Sequence, residues 1–66
     1  MTGRAITPEQ KRAIIERILA AWEKKPALRL GQLLMHAVRA EDPLMPLIAA
    51  EDEWLADAVE KFAEDR

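Results

Sequence analysis

Prolines at positions 8, 26, 43 and 46 cut this chain into three windows, and each window carries apolar side chains at helical spacing. Proline has no backbone N–H and disfavours helical backbone in the residue before it, so a helix can begin at a proline but does not run through one. In the first window, Thr7-Pro8-Glu9-Gln10 has the residues of a helix start. Thr7 can accept from the amide of Gln10, Pro8 fills a first-turn position that needs no donor, and Gln10 can reach back to Thr7. Ile14, Ile15, Ile18, Leu19 and Trp22 then recur at intervals of three and four until Lys24-Lys25-Pro26. The spacing predicts a helix over 8–25 with cations at its negative end.

The second stripe is Leu30, Leu33, Leu34, Ala37 and Val38, predicting a helix over 30–40, with Gly31 either at its entry or admitting a close neighbour. Asp42-Pro43 and Met45-Pro46 exclude regular helix or central strand between residues 40 and 47, yet Leu44, Leu47 and Ile48 are too apolar for a solvated loop. This connector is expected to lie across the core. A third helix over 51–64 opens with Glu51-Asp52-Glu53, whose carboxylates favour its positive end, and carries Trp54, Leu55, Ala58, Val59 and Phe62 on one face. The fold class expected is all-α: one compact three-helix domain over residues 1–66, with residues 1–6 flexible.

A 66-residue chain buries only about 60% of the surface its unfolded form exposes, so a second copy would be a natural supplement and a homodimer is expected. Without cysteine and with one histidine, no disulfide framework or thiolate metal site is available, and no metal or cofactor is expected. Met1 to Lys11 holds no apolar run, and no stretch nears the roughly 18 apolar residues of a membrane span. A cytoplasmic protein without a membrane partner is expected. Serine, asparagine, cysteine and tyrosine are absent and both threonines fall in the first seven residues, so most nucleophile and oxyanion-donor types are missing. Two glycines, Gly3 and Gly31, cannot build a phosphate-cradling loop. The expectation is a protein that is not an enzyme and has no catalytic residues.

Charge is sorted along the chain. Residues 1–39 carry net +5 and residues 40–66 net −7, which leaves −2 overall. Such a chain can present one acidic and one basic surface. Glu53, Asp57, Glu60 and Glu64 fall within about 40° of one another on the third helix, forming an acidic ridge whose like charges repel. Only Asp57–Lys61 offers relief within that helix. The ridge is either solvated, paired inside the fold with Arg17 and Lys24, or a docking surface for a basic protein partner, helped by Trp54 where that ring is exposed. A metal site is the weakest reading, because a straight helical ridge has no loop to wrap oxygens round an ion.

Arg17 and Lys24 share one flank of the first helix, and Arg12 lies on the other with Glu16 and Glu23. A helix-turn-helix reading would put Gln32, His36 and Arg39 against base edges, with Arg17, Lys24 and Lys25 on phosphates. The basic surface is small for such a footprint, and nucleic acid is not the expected partner. His36 reads as a surface histidine, and Trp22 and Trp54 as core anchors. Met35 lies outside its helix's stripe, so Gly31, Met35 and Met45 form a candidate exposed patch suited to a partner helix or a second copy.

Trp22 with Pro26, then Leu28-Arg29-Leu30-Gly31-Gln32-Leu33-Leu34 and Ala37, then Glu51-Asp52 and Leu55, resembles a family of short, mostly uncharacterised bacterial and phage proteins over about residues 14–62. Members of that family often place aromatics before the acidic pair, where this chain has Leu47-Ile48-Ala49-Ala50. The resemblance implies a single small domain acting by binding a host or phage protein, and it carries no activity. The function expected is a noncatalytic protein–protein interaction module of inhibitor or adaptor type, docking through the acidic third helix. The alternative is a small DNA-binding regulator or antitoxin-like protein.

Overall fold

The computed structural model describes residues 5–64. Three helices, α1 (Pro8–Glu23), α2 (Leu30–Glu41) and α3 (Asp52–Glu64), are joined by a turn and by a connector containing a short 3₁₀ turn, Leu47–Ala49. The all-α, three-helix architecture is the one the apolar spacing predicts.

Helix α1 starts as its sequence dictates. Thr7 Oγ1 accepts from the Gln10 amide at 3.1 Å, and Gln10 Oε1 accepts from the amides of Thr7 and Ile6. The helix ends at Glu23, two residues before the predicted end. The Lys24 amide folds back onto the carbonyls of Ala21 and Trp22, so Lys24 is the cap and Lys25 lies in the turn. Trp22 Nε1 donates to the Leu28 carbonyl at 2.7 Å across that turn, fixing the approach to α2. Gly31 stands in the first turn of α2, and a Cβ built there meets nothing within 4 Å. Its place is at the helix entry, with no close neighbour.

Helix α3 is the central element: α1 and α2 each pack against it and scarcely touch one another. Helices α1 and α3 run in the same direction, since Ala5–Asp52, Arg17–Glu60 and Lys24–Glu64 advance along both chains together. Ile14, Ile18 and Ala21 of α1, Leu33 and Ala37 of α2, and Ala56, Ala58, Val59 and Ala63 of α3 make the core. Leu33 and Val59 are fully buried. Alanines hold many of the core positions, which lets the helix axes approach closely. They also leave less apolar area to bury per residue than leucine or isoleucine would.

Two expectations are overturned. The connector does not lie across the core. Pro43 and Pro46 hold its backbone away from helix, the 3₁₀ turn rests against α2, and Leu44 and Ile48 are 92% and 95% exposed. The α1 stripe is also only half used. Because α2 does not close over α1, the burial face turns toward Ala21, leaving Ile15 63% and Leu19 48% exposed. Of the segment 1–6 expected to be flexible, residues 1–4 lie outside the described residues. Ala5 and Ile6 are tied by hydrogen bonds to Asp52 Oδ2 and Gln10 Oε1, both at 2.8 Å.

Candidate functional site

The acidic ridge forms on α3 as its spacing requires, and α1 has already occupied it. Arg17 projects from the flank of α1 that faces α3. Its Nε donates to Glu60 Oε2 at 2.9 Å and its Nη2 to Glu60 Oε1 at 2.7 Å. Nη2 also donates to Asp57 Oδ1, and Nη1 lies 3.7 Å from Glu53 Oε1. One planar guanidinium thus holds Glu60 with two parallel bonds and spans three of the four ridge carboxylates, a geometry lysine cannot reproduce. The hydrogen bonds that Arg17 donates to Glu60 and then Asp57 raise its pKa further above its already high value. The same bond from Arg17 holds the Glu60 carboxyl below the usual carboxylate range.

Lys24 Nζ completes the seam 4.0 Å from Glu64 Oε2, a loose pair between two largely exposed side chains. Of the readings left open for the ridge, pairing inside the fold with Arg17 and Lys24 is the one formed, with the four carboxylates still 40–70% exposed. Glu53, Asp57, Glu60 and Glu64 face the cations of their own chain, and their clustering serves to clasp two parallel helices. Relief within α3 is corrected as well: Lys61 does not turn to Asp57 but reaches Glu41 of α2 at 3.4 Å. Trp54 is half-buried and packed on the core, leaving little ring to help such a docking. Among the described residues, no group of three or more His, Asp or Glu side chains is disposed to hold a metal ion.

Of the residues named for DNA contact, the fold brings Lys24, Lys25 and His36 together at the α1–α2 turn and leaves Arg17, Gln32 and Arg39 apart from them. Arg17 and Lys24 point at carboxylates, and Gln32 Oε1 accepts from the Arg29 amide at 2.9 Å to start α2. His36 stacks on Phe62 of α3, with ring centroids 6.1 Å apart and planes 22° from parallel. Lys25 lies in the turn before α2 and Arg39 in its last turn.

Met35 is exposed as its position outside the stripe predicted, and it borders a hollow with Arg39, Leu44, Met45 and Leu47 on the connector side of α2.

Two features escaped the sequence reading. On α1, Ile15, Leu19 and Trp22 stand at i, i+4 and i+7 along one line, with Ile15 and Leu19 facing solvent and Trp22 half-buried. At the turn between α1 and α2, a cleft of about 600 Å³ has Pro26, Ala27, Leu28 and Phe62 as its apolar floor and Lys24, Lys25 and His36 at its rim. Lys25 Nζ stands 5.9 Å from the Phe62 ring centroid, within cation–π range. The one sequence signal for this cleft was the unbroken Lys24-Lys25-Pro26 run. Nothing local indicated that Phe62, more than thirty residues away, would lie under it.

No helix is long and apolar enough to cross a membrane among the described residues. No family model matches this chain, and no curated protein and no solved structure matches it either.

Proposed function

We propose that this chain is a noncatalytic protein-interaction module, of adaptor or inhibitor type, that receives an amphipathic helix of a partner protein along the outer face of α1. The observation that carries the reading is the exposure of Ile15 and Leu19 in line with Trp22. Single exposed apolar residues are ordinary on protein surfaces, but a line of them at helical spacing is the pattern by which one helix seats another. Trp22 suits an anchor at one end of such a contact. Its ring is held by the bond to the Leu28 carbonyl, so little side-chain freedom is lost on binding.

The flanks carry both signs, Lys11 on one side and Arg12, Glu16 and Glu23 on the other, so charge there sets register more than attraction. The docking face thus moves from the ridge of α3 to α1, while the noncatalytic module is retained.

Capture of partners from a native lysate with three baits tests this. The wild-type chain and an Asp57→Lys/Glu60→Lys variant should retain the same partner, and an Ile15→Asp/Leu19→Asp variant should lose it while keeping its helical circular dichroism. The reverse pattern would return the docking role to the ridge. Sedimentation at micromolar concentration separates a partner helix from a second copy, because a pair of chains doubles the 7.5 kDa mass. A low-salt gel shift of duplex DNA, steeply weakened by added salt, would instead favour the DNA-binding regulator.

A further inference from the structure

We propose that the cleft at the α1–α2 turn is a second binding site, which takes an acidic, apolar peptide segment of a partner protein. It rests on different residues from the α1 face and stands or falls independently.

Size and chemistry agree. A cleft of about 600 Å³ lies within the roughly 300–1,000 Å³ of ligand sites, and its floor of Pro26, Ala27, Leu28 and Phe62 suits one leucine or phenylalanine side chain. Among the described residues, its lining contains no carboxylate. Glu64 meets Lys24 Nζ at 4.0 Å. A carboxylate flanking the seated apolar residue would therefore meet ammonium groups on the rim and take Lys24 from Glu64. The pairing Lys24–Glu64 is loose and its partners are 59% and 70% exposed, so the exchange costs little.

Nucleic acid fits less well. A run of phosphates leading away from the cleft would meet Glu64, already at Lys24, and the acidic ridge beyond it. Short carboxylate-bearing segments bring charge only where the lysines stand and supply an apolar group to match the floor.

The geometry sets opposite signs for two substitutions. Lys24→Gln/Lys25→Gln should weaken binding about tenfold in total, as two partly exposed ion pairs are lost. Glu64→Gln should strengthen it about two- to threefold, because it removes the internal competitor for Lys24. A purely structural role for these side chains would not produce a gain at Glu64.

The test is an NMR titration of the full, ¹⁵N-labelled chain with the blocked hexapeptide Glu-Glu-Leu-Phe-Glu-Glu. Two control peptides replace Leu-Phe by Gly-Gly or every Glu by Lys, and a single-stranded oligonucleotide serves as a third control. Shifts confined to residues 24–28, His36 and Phe62, with the stated ranking of variants, support the site. No shift there with the acidic apolar peptide overturns it. So does equal binding of the Gly-Gly or Lys peptide, an oligonucleotide that gives the same shifts more tightly, or a Glu64→Gln variant that binds no better than wild type. Loss of partner capture by the α1 variants would leave every one of these outcomes unaffected, so the two readings fail separately.

Discussion

Glu53, Asp57 and Glu60 converge on one guanidinium, whereas Lys25 and His36 lie against one benzene ring. Both clusters sit on α3 or its immediate neighbours and both join residues far apart in the chain, yet they differ in what remains for a partner. The acidic cluster is closed by charge: Arg17 is planar, five-donor and permanently ionised, and it answers the carboxylates in the geometry they prefer. The basic cluster is held by an aromatic face, and among the described residues its ammonium and imidazole make no side-chain hydrogen bond. Surface charge counts rank the ridge first as a docking site, and one guanidinium against three carboxylates leaves it negative. What separates the clusters is that the carboxylates already have a partner from α1, whereas Lys25 makes no ion pair among the described residues.

The comparison can be broken most forcefully by removing the support both clusters share. Leu33→Ala empties a fully buried position, and truncation at such a site costs about 2–5 kcal/mol. A domain of this length holds on the order of 3–10 kcal/mol in all, so urea unfolding should show most of the stability gone and both clusters lost together.

Next in size is Arg17→Met, which keeps the apolar stem and deletes the fork. A loss of about 1 kcal/mol is expected, given the part-exposed carboxylates, with a fall in melting temperature of about 4–8 °C. Lys25→Gln, the matching change in the other cluster, should shift stability by less than about 0.5 kcal/mol. Equal effects of the two would erase the distinction between a closed and an open cluster.

Acidification sharpens the same point. Because Arg17 lowers the Glu60 pKa in the folded state, the stability from this pair is complete above the unfolded carboxylate value of about 4.3. It is lost as pH falls through the lower folded value. Thermal melts from pH 7 down to pH 2 should therefore decline more in wild type than in Arg17→Met, and parallel declines would deny the pair its role.

The smallest effect is expected from Ile15→Asp/Leu19→Asp. Both side chains are already largely in water, so a melting temperature within a few degrees of wild type is expected. A large drop would show that α1 is covered in solution, by a second copy or by α2.

Much of this was legible from residues alone. Thr7, Pro8 and Gln10 specify the α1 start through hydrogen bonds spanning three residues, and each does what its chemistry requires. The prolines bounded the connectors for the same local reason, and Met35 fell outside its stripe and stayed exposed. The connector misled because Leu44 and Ile48 are apolar, and apolarity states a preference for burial without supplying a surface to meet it. Ile15 and Leu19 misled similarly: a stripe records which side of a helix is apolar, not how much of it a neighbour covers.

The chain alone therefore determined which three segments are helical, to within two residues at their ends, which sides of them are apolar, and that four carboxylates share one side of α3, since these follow from backbone sterics and a period of 3.6 residues. Tertiary structure decided that α3 lies between the other two, that α1 runs parallel to it so that Arg17 reaches the ridge, and that Phe62 lies beneath Lys25 and His36. Those outcomes depend on how helix faces share a limited buried surface, a long-range competition between packing and solvation that no local stretch of residues encodes.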